Sequence, residues 1–283
     1  MITKPFLKWV GGKTQIIEKL MNHIPKDINN YHEIFLGGGS VLLSVLCLLR
    51  EGKINIKGKV YAYDINEPLI RVYKNIQTDH TMVYKLTQEL ITQERLIDKE
   101  EYYYKIRNDY NNLLDKKSFM GSAMFIYLNK TCFRGIFRIG PHGFNVPYGN
   151  YKNPEIINKQ HLEQVSQLIQ DVVFEACDFT VSLSKTQDGD FVYLDPPYVP
   201  EKKNSFVKYT ENGFNEEQHT KLFGILIKTH IYWVMSNSDT PLVREKFNIF
   251  STSSFIQVDS YRRINSKKPE SKTKELIIIH PCI

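Results

Sequence analysis

Only four cysteines occur in 283 residues, at positions 47, 132, 177 and 282, and none forms a C-x-x-C pair. That spacing argues against a structural zinc site, and no metal is expected. A disulfide framework is equally out of place at this length in a reducing compartment. Cys47 and Cys177 read as plain core residues. Long apolar runs are missing as well. The longest, Val41 to Leu49, is too short to cross a bilayer and ends in Arg50-Glu51. The opening residues Met1-Ile2-Thr3-Lys4-Pro5 lack the apolar core of a signal peptide. A soluble intracellular protein with no membrane partner is expected. Internal repeats and low-complexity tracts are absent too. The charge is not strongly of one sign: the net value is +6, which only permits a polyanion partner. One more absence removes a decoy. Gly12-Lys13-Thr14 looks like the tail of a phosphate-binding loop, but G-x-x-x-x-G-K-T needs glycine where Leu7 stands. A nucleotide triphosphatase is thereby disfavoured.

What is present suits an ordinary globular fold. Hydrophobic residues make up 42% of the chain, enough for one large α/β domain with a smaller one inserted. Ile34-Phe35 ends a short apolar run, Gly37-Gly38-Gly39-Ser40 turns the chain, and Val41 to Leu49 continues as a helix. Lys59 to Tyr63, Asp171 to Ala176, Phe191 to Leu194 and Ile231 to Met235 read as strands, the last followed by a polar turn, Ser236 to Asp239. Pro68 to about Leu114 and Glu216 to Lys228 read as helical, and Asn129 to Pro154 as an irregular loop or hairpin region. Ser254 to Val258 and Glu275 to His280 are two late strands that could pair. Alternating strands and helices imply a largely parallel sheet covered on both faces. Ligands in such sheets bind beyond the carboxyl ends of the strands. The glycine turn, Asp64, Asp178, Asp195 and Ser236 all follow expected strands, which suggests one shared site.

The glycine turn lets backbone approach a ligand closely, although a plain tight turn is the alternative. Asp64, ending the next strand, can accept hydrogen bonds from both ribose hydroxyls of a nucleoside cofactor. Asp195-Pro196-Pro197-Tyr198 is the strongest signal. An adenine amino nitrogen is a poor nucleophile because its lone pair is delocalised into the ring. The Asp195 carboxylate and the Pro196 carbonyl can accept hydrogen bonds from that amino group and stabilise the charge developing on nitrogen during attack. The proline pair stiffens the turn, and Tyr198 offers a flat face for stacking. Methylating a ring carbon of cytosine would need a cysteine nucleophile. Pro281-Cys282 lies at the end of the chain and reads as a tail. The segment Tyr261 to Lys274 holds six Lys or Arg against one Glu, either a solvated loop or a phosphate-contacting one.

Together these residues resemble the Dam-type DNA adenine methyltransferases, the D12 class of the alpha group, over nearly the whole chain. Pro5 to Lys13 is similar to the family's N-terminal cofactor motif, Glu33 to Ser40 to its glycine motif, and Tyr63-Asp64-Ile65-Asn66 to its ribose-binding acid. Leu128 to Phe133 and Gly143 to Gly149 look like its DNA-recognition hairpin, and Ser236 to Thr240 and the Arg262-Arg263 loop match later segments. The resemblance implies a Rossmann-like S-adenosylmethionine-dependent methyltransferase fold with a mixed, mostly parallel sheet. It divides the chain into a catalytic domain of residues 1–66 and 166–283 and an inserted target-recognition domain of residues 67–165. Trp9, Lys13, Phe35, Gly37, Gly39, Asp64, Asp178 and Asp195 would line the S-adenosylmethionine pocket, with Asp178 reading the cofactor's adenine. Trp9 as a core aromatic and Lys13 as a capping or solvated residue are the plainer alternatives. Asn129, Lys130, Arg134, Arg138, Asn145, Arg262 and Arg263 would contact DNA. Arg134 stands where many relatives carry Asn, a departure that bears on the recognised sequence.

The expected activity is methyl transfer to adenine in a short duplex site, GATC first and CATG second, by base flipping. Asp195, Pro196 and Tyr198 would be catalytic. A monomer in the cytoplasm of a prokaryotic or virus-infected cell is expected, with room for a cognate restriction endonuclease on a separate chain. An amino-group methyltransferase acting on RNA or protein glutamine, and an inactive DNA-binding homologue, are the competing readings.

Overall fold

A strand that is apolar at successive positions must be covered on both faces. Four such strands, with three others, build the central sheet of the computed structural model, which describes residues 3–200, 214–247, 254–261 and 272–281. They are β1 (Tyr31–Ile34), β2 (Val60–Asp64), β3 (Val172–Ala176), β4 (Phe191–Leu194), β5 (Tyr232–Ser238), β6 (Ser254–Tyr261) and β7 (Lys272–His280). Their order across the sheet is 3-2-1-4-5-7-6, and only β7 runs antiparallel to its neighbours. The mostly parallel α/β architecture is the one the sequence implied.

The described helices are α1 (Ile17–Met21), α2 (Ser40–Arg50), α3 (Glu67–Glu94), α4 (Lys99–Asn112), α5 (Phe119–Thr131), α6 (Lys159–Leu168), α7 (Phe179–Leu183), α8 (Glu216–Leu226) and α9 (Pro241–Phe247). Strand alternation sorts side chains between two cores. Phe191 and Tyr193 of β4 join Val60, Ala62 and Val234 under α1, α2, α3, α5 and α6. Val192 and Leu194 join Tyr63, Trp233 and Met235 under α7, α8 and α9. The first core runs without a break from the sheet into residues 67–165, through Tyr73, Tyr103, Phe125 and Tyr127.

Helix starts follow local chemistry. Asn66 accepts the Leu69 amide at 3.1 Å and Pro68 sits in the first turn of α3. Asp79 leaves the helical region (φ −155°) and takes the Met82 amide at 2.9 Å, so α3 breaks there and restarts. Two expectations need correcting. Residues Ser236 to Ser238 are not a polar turn: they continue β5 and are buried, because β7 pairs alongside them. Asn129 and Lys130 lie in α5, whose apolar residues pack against α3 and α4, and the irregular region begins only after Thr131. The late hairpin forms as β6 and β7. Its connecting residues 262–271, with Arg262 and Arg263, lie outside the described residues.

The strand order reverses between β1 and β4, the position where open α/β sheets leave a crevice at their carboxyl ends. The glycine turn follows β1 and Asp195 follows β4, so topology brings the two motifs side by side. Gly37 (φ 51°) and Gly39 (φ 68°) adopt left-handed backbone. A Cβ on Gly39 would stand 2.6 Å from the Tyr73 hydroxyl. Gly39→Ala is therefore expected to cost about 2 kcal/mol or more, read as a lower urea midpoint. Adding Tyr73→Phe should recover only the steric part.

Candidate active site

Lys13 is 3% exposed, and its ammonium meets Asp195 Oδ2 at 2.6 Å. The short 3₁₀ turn Lys13–Gln15 presents it, anchored where the Lys13 amide donates to Ser40 Oγ at the start of α2 (3.1 Å). The same ammonium donates to the Gly11 carbonyl. Lys13 is thus neither solvated nor a helix cap. Burial pushes the Asp195 carboxyl up to about 6, with Lys13 opposing the rise and Glu275 adding to it. Glu33 on β1 is buried and accepts the Tyr31 hydroxyl at 2.7 Å. Burial pushes it up to about 8, Asp195 adding to the rise and Lys13 opposing it. Glu33 and Asp195 thus both feel the Lys13 charge, and Asp195 also feels Glu275.

The turn from Asp195 to Tyr198 is held from the neighbouring strand. Asn237 Oδ1 accepts the Val199 amide at 3.1 Å, and Ser238 Oγ donates to the Val199 carbonyl at 2.5 Å. The Tyr198 hydroxyl donates to Glu275 Oε2 at 3.1 Å, and the Lys13 ammonium lies 5.0 Å from the Tyr198 ring centre. Pro196 is buried, and Asp195 and Tyr198 are half-buried. Sequence reasoning assigned no role to Glu33 or Glu275. Each is an acid set into an apolar strand next to a motif, and that misplaced polarity is the signal that could have found them.

Around the glycine turn, the Asp64 carboxylate accepts the Gly37 amide on Oδ2 and the Asn66 amide on Oδ1, both at 2.9 Å. Burial raises its pKa against these bonds. The glycines also serve the protein's own packing. A Cβ on Gly37 or Gly38 would fall within 2.8 Å of Trp9, which covers the turn and stacks on Phe137 at 6.1 Å. Phe35 (φ 71°) groups with Phe179 and Phe214 at centroid distances of 5.7–5.9 Å. Asp178 caps α7, its Oδ1 taking the Thr180 amide at 2.9 Å.

The expected DNA-contacting residues divide. Asn129 is 3% exposed and joins both backbone groups of Lys8, accepting its amide at 2.9 Å and donating to its carbonyl at 2.7 Å. It ties the N-terminal segment to α5 and has no edge to offer a base. Lys130 is half-buried, its pKa lowered chiefly by burial, and its carbonyl accepts the Lys8 ammonium at 3.1 Å. Arg134 has left-handed backbone (φ 59°), donates its amide to the Tyr151 hydroxyl at 2.9 Å, and lies 5.0 Å over the Phe133 ring. Arg138 and Asn145 are exposed and paired: Nε donates to Asn145 Oδ1 at 2.7 Å and Nη2 to its carbonyl at 3.3 Å. They bracket a short antiparallel pair, Ile139–Gly140 with Gly143–Phe144. Among the described residues no cluster of His, Cys, Asp and Glu could hold a metal ion.

Comparison with known proteins gives this arrangement its class. The family described as D12 class N6 adenine-specific DNA methyltransferase matches residues 9–264. The chain is 41% identical over 233 residues to the type II methyltransferase M.MjaIII of Methanocaldococcus jannaschii, covering 78% of each chain. It is 32% identical over 285 residues to the type II methyltransferase M1.LlaDCHI of Lactococcus lactis subsp. cremoris, covering 98% of this chain and 94% of that one. It is 32% identical over 247 residues to the DNA adenine methylase of Escherichia coli K12, covering 86% and 83%. The chain belongs to the D12 class of N6 adenine-specific DNA methyltransferases.

Glu33 ionises near 4.5 when unfolded and near 8 when folded. A carboxyl raised on folding costs stability above its unfolded pKa, and the cost levels off above the folded one. Glu33→Gln removes that titration and keeps an acceptor for Tyr31. The variant is expected to be more stable than the parent by about 3 kcal/mol at pH 7, a gap that closes as pH falls to the unfolded value. Equal stability at pH 7 in denaturant titrations would contradict the buried-acid assignment.

Proposed function

We propose that the methyl donor is S-adenosylmethionine and that the acceptor is an adenine turned out of duplex DNA into the crevice between β1 and β4. The observation that carries this reading is the ion pair of buried Lys13 with half-buried Asp195 beside the glycine turn. The residues fit the cofactor by their chemistry. Asp64 spends one lone pair of each oxygen on a backbone amide, and each oxygen keeps another for a vicinal diol. Phe35 and Phe179 supply apolar faces for a base. Trp9, Gly37, Gly39 and Asp178 complete the proposed pocket.

Bound S-adenosylmethionine supplies an electrophilic methyl group on a cationic sulfur. Everything else falls to the chain's own groups. Asp195 must be ionised to accept a hydrogen bond from the adenine amino group, and Lys13 favours that form. A carboxylate has acceptor sites to spare. Lys13 keeps Oδ2 while Oδ1 and the Pro196 carbonyl take the amino hydrogens. Those bonds draw the lone pair back onto nitrogen and stabilise its developing charge. Tyr198 stacks on the base. Transfer is direct, with no covalent enzyme intermediate.

For the substrate, residues 67–165 form the target-recognition domain inserted between residues 1–66 and 166–283. Arg138 and Asn145 on the hairpin, with Arg134 and Lys130 beside it, are the readers and phosphate contacts, and Arg262 and Arg263 add charge from the loop after β6. GATC is the first site to test and CATG the second, both from the family resemblance. The working form is a monomer in the cytoplasm, and a restriction endonuclease on a separate chain, acting on the same site, is its natural counterpart. Among the described residues no helix is long and apolar enough to cross a membrane.

Asp195→Ala should abolish transfer of label from S-adenosylmethionine to duplex DNA while DNA binding stays measurable. Full activity, or label passing to RNA or protein instead, would overturn the reading. Arg138→Ala should relax sequence preference at one base position by about ten-fold or more, measured by sequencing methylated bases. An unaltered preference removes Arg138 from the reading set.

A further inference from the structure

We propose that Glu275, on the antiparallel strand β7, is a positioning residue for methyl transfer: it fixes the Tyr198 ring at the angle on which the target adenine stacks. Position 275 lies on the sheet face of Ile277 and Ile279, which are buried in the first core. An apolar residue there would simply extend that packing. The chain instead places a carboxylate within electrostatic reach of Asp195, a like-charge arrangement that costs stability and so needs another use. One contact it makes is to the turn that carries Tyr198. Glu275 stands opposite Ser238 in the β7–β5 register. Ser238 and Asn237 clamp the backbone of Val199, next in sequence to Tyr198. With the backbone fixed there, the Tyr198 ring can still swing about its two side-chain torsions. The charge-assisted bond from its hydroxyl to Glu275 Oε2, 3.1 Å, removes that freedom at the far end of the ring. Glu275 acts through Tyr198.

The inference rests on the base-displacement reading, and the test separates the two. Duplex DNA carrying 2-aminopurine in place of the target adenine reports base placement by fluorescence, and single-turnover rates on the natural duplex report transfer. If the parent enzyme gives no fluorescence rise, base displacement fails, while a double-mutant cycle on rates still reads the Glu275–Tyr198 coupling. Glu275→Ala and Tyr198→Phe are each expected to slow single-turnover transfer about ten- to hundred-fold. Both should change the aminopurine signal and leave S-adenosylmethionine affinity by calorimetry within about three-fold. The double variant should be no slower than either single one. Glu275→Gln keeps an acceptor oxygen, so it should restore the aminopurine signal. It also removes a negative charge beside Asp195, so the acid limb of its rate profile should move to lower pH. Multiplying effects in the double variant would overturn the proposal. So would a parental rate and signal in Glu275→Ala, or equal damage in the Gln and Ala variants. Should Glu275→Ala fail to fold, the Gln variant and Tyr198→Phe still decide it: a Gln variant without the parental signal would sink the idea.

Discussion

The site depends on a buried ammonium keeping a half-buried carboxylate charged. At the carboxyl end of β4, Asp195 loses solvation and its proton affinity climbs to about 6. Without Lys13 the same burial would carry it higher, and a protonated carboxyl would donate one of the hydrogen bonds it must accept. Lys13 is itself 3% exposed, so neither charge is tolerable there without the other. Several features arrange that meeting: the 3₁₀ turn that starts at Lys13, the Ser40 hydroxyl that takes its amide, and the glycine turn that lets Trp9 lie close.

The same constraint ties distant parts of the chain together. Trp9 rests on the glycine turn on one side and stacks on Phe137 on the other. One residue earlier, Lys8 is held by Asn129 through both of its backbone groups. The N-terminal segment is therefore a strap between the sheet's catalytic end and the helix that precedes the hairpin. On the far side of the turn, β5 and β7 grip Val199 and Tyr198. The catalytic segment is supported from both flanks by elements far apart in sequence.

Local rules made much of this legible. The glycine turn and the strand before Asp195 carry their signals within a few positions, so they read correctly from neighbours alone. Ser236 to Ser238 did not. Three polar residues after an apolar run look like a turn, and only pairing with β7 and side-chain bonds to Tyr193 and Val199 hold them inside a sheet. Asn129 misled for a related reason. A polar residue in a recognition-like string invites a nucleic-acid role, yet its amide is consumed by backbone 121 positions away.

By itself the sequence determined the class of sheet and the motif-bearing strand ends, because strand periodicity and turn residues are properties of short segments. Only the tertiary structure decided who keeps the Asp195-Pro196-Pro197-Tyr198 motif charged and aligned. Lys13, Glu33 and Glu275 converge on Asp195 and Tyr198 from three separate stretches of chain, and the order 3-2-1-4-5-7-6 brings them together. Burial and through-space charge set the state of Asp195, and neither quantity exists until the chain has folded.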